Sequence, residues 1–347
     1  MTTRAVTLPG GIVLRVRPRA AAVIGAVALV AIAVSGYAVL TGNYHLSVGD
    51  ALGTFVGGGA ATDRFFVLQQ RLPRAVAALL VGAGLGCAGS LFQSVSRNPL
   101  GSPDVIGFTT GSATGALVSL LVLGPAPGTG SGAGVGAGAL IGGLVTAGAV
   151  YAISAVRGAG GRQQLVLVGI AVGAMLASVN DYLLTRADLD AAETAKSWLF
   201  GSLNAISWPQ VVPAAVALAV LLPAAVPLGR PLRLLEMGDD FATALGVRAA
   251  RVRWQALLVG VLLTGAAVAV AGPVGFLALA APQLARALLR SSDAAPLTSA
   301  VTGAALLAAA DLGAQRLLTP FQIPVGLVTG ALGGAYLAWL LATGRSR

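Results

Sequence analysis

The stretch RVRPRAAAVIGAVALVAIAVSGYAVL, Arg15 to Leu40, decides the architecture. From Ala20 to Leu40 it carries no charged side chain, and a helix of that length crosses the roughly 30 Å hydrocarbon layer of a bilayer. The run is too long for the apolar core of a cleaved signal peptide, so it reads as a retained helix. Arg15, Arg17 and Arg19 precede it and place its N-terminus on the cytoplasmic side.

Outward from this run the same pattern recurs. Further apolar spans fall at about 75–95, 105–123, 137–156, 165–184, 211–227, 254–271, 274–289, 297–316 and 324–342, separated by Gly/Pro-rich or charged connectors. The reading is an all-α polytopic membrane protein of about ten transmembrane helices. Residues 1–19 form a cytoplasmic N-terminal segment, 20–343 the membrane domain and 344–347 a cytoplasmic tail. Gly124 to Gly138, poor in bulky apolar residues, is expected to be an external loop.

Composition agrees with this. Of 347 residues, 56% are hydrophobic and 10% charged, against about 25% charged in a soluble domain. The net charge of +10 does not point to nucleic acid, because the arginines cluster in the gaps between spans. With alternating topology, six of the 22 basic residues (Arg64, Arg71, Arg74, Arg186, Lys196 and Arg316) fall outside and the rest inside. Both termini are then cytoplasmic.

Several chemistries are excluded. One Cys and one His supply neither a disulfide nor a structural zinc site, so no metal or cofactor is expected. Lys196, the only lysine, lies in no phosphate-binding loop, and no hydrolase signature occurs, so no catalytic residue is assigned. Energy from ATP must come from another chain. Gly84, Gly86 and Gly89 match a dinucleotide-binding pattern, but in mid-span they read as close helix packing. Gly326, Gly330 and Gly334 suit either a dimer interface or packing within one subunit.

Arg71 and Arg74, three residues apart, share a face at the start of the second span, with Pro73 in its first turn. Positive charge there opposes the helix dipole by roughly 0.3–1 kcal/mol. Either an acidic partner or interfacial snorkelling accounts for them. Gly238-Asp239-Asp240, then Phe241 to Gly246, reads as a turn, an N-cap at Asp239 and a short helix ended by Gly246. Asn180, Asp181 and Asp311 fall near outer ends, where interfacial water would solvate them. Arg97-Asn98-Pro99-Leu100 is an architectural cytoplasmic turn.

Five blocks carry a family resemblance: RLPRAVAALLVGAGLGCAGSLFQSVSRNPLGSPDVIGFTTGSATG from Arg71, WLFGSLNAISW from Trp198, LRLLEMGDDFATALGVRAARVR from Leu232, GPVGFLALAAPQLAR from Gly272 and IPVGLVTGALGGAYLAWLL from Ile323. The chain resembles the permease subunits of ABC importers for iron–siderophore complexes and cobalamin. That likeness implies the type II importer permease fold in a prokaryotic cell membrane, cytoplasmic ABC ATPases, an extracytoplasmic siderophore-binding protein and a second permease subunit. It also implies docking of the binding protein at Arg71 and Arg74. The family's third docking arginine aligns with Gln315, leaving Arg316 one place away. The loop of about 228–253 corresponds to the ATPase-coupling segment, with Leu235, Phe241, Ala242 and Leu245 as apolar contacts and Gly238, Asp239 and Gly246 shaping it. Apart from the resemblance, Gln93, a polar residue within a span, is a candidate for contact with the translocation path. Pro282-Gln283 and Gln322-Ile323-Pro324 replace the common Pro-His and Glu-Leu-Pro. Both look like the enterobactin-type ferric siderophore branch, in which a heterodimer is usual. Alternatives are cobalamin or haem import within the same family, an ion-coupled transporter, or a membrane scaffold.

Overall fold

Inside a bilayer each backbone N–H and C=O must find its partner within the protein, so the apolar runs fold as helices. The computed structural model describes residues 4–7, 13–16, 18–42, 44–124, 131–156, 162–290, 295–318 and 321–342. The tail 344–347 lies outside them. A short antiparallel ribbon, β1 (Arg4–Thr7) and β2 (Val13–Val16) with Arg4 opposite Val16, precedes the first span. Apart from this ribbon, the described chain is helical, as expected.

The helices follow in order as α1 (Pro18–Leu40), the short α2 (Val48–Gly53) and α3 (Ala61–Arg64), then α4 (Leu72–Ser96), α5 (Phe108–Leu117), α6 (Ser131–Val156) and α7 (Arg162–Arg186). After them come α8 (Leu189–Leu199), α9 (Trp208–Ala225), the short α10 (Gly229–Glu236) and α11 (Asp239–Ala244), and finally α12 (Ala249–Ala271), α13 (Leu277–Leu289), α14 (Pro296–Arg316) and α15 (Val325–Ala342). Among the described residues, seven helices are long and apolar enough to cross a membrane, and three shorter apolar helices match the remaining expected spans.

Two boundaries differ from expectation. Residues 131–138, expected in a loop, are the first turns of α6, while 125–130 lie outside the described residues. Small residues here serve contact rather than flexibility: a Cβ on Gly136 would stand 2.5 Å from the Ala269 carbonyl oxygen, and one on Gly138 2.6 Å from that of Gly115. The second span begins not near Arg71 but at Ala61, as one helix of 36 residues to Ser96. Its stretch Phe65–Arg71 is a wide π-helical turn in which the Leu72 N–H reaches back to the Val67 carbonyl.

Pro73 explains the next step of that ladder. It has no N–H to offer the Leu68 carbonyl, and the indole Nε1–H of Trp208, at the start of α9, donates to that oxygen at 2.8 Å instead. Arg71 and Arg74 therefore sit inside a long helix and not in its first turn, so the dipole argument does not apply to them.

α4 is the centre of the bundle, packed by α14, α12, α13 and α9. A Cβ on Gly86 would lie 2.2 Å from the Ser299 carbonyl oxygen, and one on Gly89 1.7 Å from that of Ala278, so backbone meets backbone here. Cys87 is buried beside them. In α15, Gly326 packs within the chain against the Phe200 carbonyl, whereas Gly330 and Gly334 meet nothing within 4 Å.

Candidate functional site

Two polar sites stand at opposite ends of the 61–96 helix. The first is a cleft of about 710 Å³ where the end of α1, the π-helical turn, the end of α14 and Gln322 converge; Arg71, Arg74 and Arg316 all line it. Sequence had separated Arg316 from the other two by most of the chain.

Each arginine is held differently. Arg71 donates from Nη2 to the Tyr44 carbonyl at 2.6 Å and from Nη1 to the Val39 carbonyl at 3.3 Å, tying down the segment that follows α1. Arg74 grips Asp311 with two nitrogens, Nε at 3.1 Å from both carboxylate oxygens and Nη2 at 2.9 Å from Oδ1. Its Nη1 donates to Gln322 Oε1 at 2.8 Å. Arg316 is exposed and donates from Nη2 to Thr41 Oγ1 at 2.6 Å. Tyr44 closes one wall, stacked on Phe66 and donating its hydroxyl to Asp63 at 3.0 Å, a bond that raises the phenol above its usual pKa.

Asp311 corrects an expectation. It is not solvated at an interface: it is 3% exposed, and it accepts from Gln315 as well as Arg74. Burial of a carboxylate at this depth is tolerated because a bidentate guanidinium neutralises it. Arg74, whose side chain is 12% exposed, is thereby fixed in direction. Asn180 is likewise buried, with its Oδ1 lacking a protein partner, while Asp181 is exposed as expected.

The second site is the inner loop. α10 and α11 form a hairpin whose turn, Gly238, has φ +132°, a conformation that favours glycine. Gly246 ends α11 as expected, at φ +83°, with its N–H on the Thr243 carbonyl. The expected capping role of Asp239 is not observed. Gly238 occupies the cap position, and Asp239 is the first helical residue. Its carboxylate pairs instead with Arg97, at the end of α4, and with Arg253 of α12 at 2.5 Å. The hydrogen bond from Arg253, with the charge of both arginines, holds the Asp239 pKa below the ordinary carboxylate value.

Arg97 itself has φ +45°, the left-handed position that closes a helix and usually goes to glycine. An arginine there costs about 1 kcal/mol more than a right-handed residue. The expected apolar contacts divide. Leu235 and Ala242 are 2% and 0% exposed and belong to the chain's own core, so they are not available to a partner. Phe241 and Leu245 are exposed, together with Met237, which the sequence reading did not single out. The six-residue helix buries one side, and Phe241 and Ala242, about 100° apart around its axis, fall on the exposed and the buried side respectively.

Gln93 is buried, donating to the Leu279 carbonyl at 3.1 Å and accepting from Arg286 Nη2 at 2.6 Å. Its amide ties α4 to α13. Gln283 and Gln322, the two departures from the common motifs, are both engaged. Gln283 joins Pro99 to Tyr336, and Gln322 completes the shell of Arg74.

The pattern of the FecCD transport family matches residues 21–343. The chain is 43% identical over 301 residues to the ferric enterobactin transport system permease protein FepG of Escherichia coli (strain K12), covering 87% of this chain and 89% of that one. It is 35% identical over 326 residues to the Fe(3+)-citrate import system permease protein YfmE of Bacillus subtilis (strain 168), covering 94% and 95%. It is 34% identical over 287 residues to the hemin transport system permease protein HmuU of Yersinia pestis, covering 81% and 84%. A solved metal-chelate type ABC transporter in an inward-facing conformation shares the fold, with a TM-score of 0.80 at 24% identity over 93% of this chain and 99% of that one.

Proposed function

Because the chain belongs to the FecCD transport family, we propose that it is the membrane-spanning permease subunit of an ATP-driven importer for ferric siderophores. The observation that carries the reading is the placement of an arginine-lined cleft and an exposed apolar hairpin at opposite ends of one 36-residue helix. A permease of this kind must meet a loaded binding protein on one side and ATPases on the other. Arg71, Arg74 and Arg316 supply the positive surface that selects and orients an acidic binding protein. All three line the cleft, Arg74 in a direction fixed by Asp311.

Met237, Phe241 and Leu245 present the apolar contact to an ATPase groove, replacing the buried Leu235 and Ala242 in that role. The excess of basic residues on the hairpin side supports a cytoplasmic placement of that side and of both termini. The chain carries no bond-making step: ATP hydrolysis belongs to the partners, and the membrane helices convert their closure into alternating access. A second permease subunit encloses the path, and the open face at Gly330 and Gly334 of α15 supports a close helix contact there. Ferric siderophore is the cargo class because the 43% identical relative is a ferric enterobactin permease.

The test is reconstitution in vesicles with the ATPase and binding protein, followed by uptake of a panel of labelled ferric chelates, haem and cobalamin. ATP-dependent accumulation of a ferric siderophore is expected. Accumulation against a gradient with the ATPase omitted overturns the proposal.

A further inference from the structure

The end of α4, the start of α11 and the first turns of α12 meet at a single carboxylate, that of Asp239. Three features set this clasp apart from a chance surface pair. Arg97 occupies a left-handed helix-closing position, so a long side chain is kept where glycine is easier. Asp239 offers no capping bond to its own helix and reaches two other helices instead. The pair members are also partly open to water, at 22% for Arg97, 32% for Arg253 and 43% for Asp239, and pairs so placed add little to folding stability.

α11 has six residues, too few to persist as a helix on its own. Its buried side, through Ala242, fixes it by apolar contact with no preferred direction. The ionic bonds supply direction: a pull on the hairpin reaches the end of α4, whose helix continues through the π-helical turn to Ala61 and carries Arg71 and Arg74 of the arginine cleft.

We propose that the Arg97–Asp239–Arg253 clasp is the mechanical link from the inner hairpin to α4 and α12, with Arg97 as a positioning residue for energy coupling. This rests on the reading of the hairpin as the ATPase-facing segment. The link acts only if α4 and α11 move as one, so either partner's loss should have the same effect as loss of both.

The experiment uses the reconstituted importer with Arg97→Gln, Asp239→Asn, the double variant and Arg97→Lys. Two quantities are read: ATPase co-purified with each variant, and cargo imported per ATP hydrolysed. ATPase binding should persist in all four. Cargo per ATP should fall about tenfold in Arg97→Gln and Asp239→Asn, within the range of coupled pairs. The double variant should be no worse than either single change, and Arg97→Lys should recover most of the ratio. An unchanged ratio in Arg97→Gln overturns the link. Loss of ATPase binding in Arg97→Gln also overturns it, since the residue would then only shape the docking surface. If no ATPase binds the unaltered chain, the reading of the hairpin itself fails, and the link with it.

Discussion

Asp311 shows how one buried charge fixes the geometry of the outer cleft. It neutralises Arg74 and orders Gln315, and Gln322 covers the remaining guanidinium nitrogen. Asp311→Asn leaves a nearly buried guanidinium without a counter-charge, and arginine cannot escape by losing its proton. Loss of about 3 kcal/mol is expected, visible as a lower thermal unfolding midpoint in detergent; an unchanged midpoint would show that water reaches Arg74 freely. Asp239 behaves differently, because it is more exposed and its pKa is depressed. A depressed carboxylate gives its stabilisation above the unfolded value of about 3.9 and loses it as pH falls through the lower folded value. Hydrogen exchange in α11, corrected for intrinsic rate, should therefore stay flat from about pH 8 to 5 and rise only below about pH 4. A rise near neutrality would mean that another group holds the hairpin.

At the scale of the element, the π-helical turn carries the lesson. Pro73 was legible in the sequence as a helix-start residue, yet it lies inside a helix because a preceding wide turn and a distant indole satisfy what it leaves open. No local pattern encodes that Trp208 bond, which spans 140 positions. Trp208→Phe keeps the ring and removes the donor, leaving the Leu68 carbonyl unpaired at a cost of about 1–3 kcal/mol. The same substitution should loosen the cleft wall formed by Phe65 and Phe66. Limited proteolysis across 60–75 checks this, and equal protection in both proteins counts against it. The glycines of α4 were read correctly as packing residues, because mid-span small residues have few other uses in a membrane.

For the whole molecule, the sequence revealed the number and order of spans, since hydrophobic length is a local property. It revealed less of which polar side chains meet. Arg71 and Arg74 were singled out by motif and Arg316 as one place displaced from it, but the pairings of Arg74 with Asp311 and of Arg97 with Asp239 join helices far apart in the chain. Burial within the hairpin was equally invisible: Leu235 and Ala242 resemble Phe241 and Leu245 in hydropathy and differ in side. If the cleft receives an acidic protein, Arg71→Glu with Arg316→Glu should reduce the association rate by roughly tenfold to a hundredfold at low salt and less at high salt. Surface plasmon resonance against the binding protein measures this, and a rate indifferent to both charge and salt would rule out electrostatic docking.

The solitary thiol of Cys87 lies shielded in the middle of the bundle. Reporter groups can therefore be attached through new cysteines at Thr62 and Asn98, flanking the central rod, without first erasing the native sulfur. The span between two such labels offers a molecular calliper: a stiff rod keeps it constant through a transport cycle, and a bending one does not.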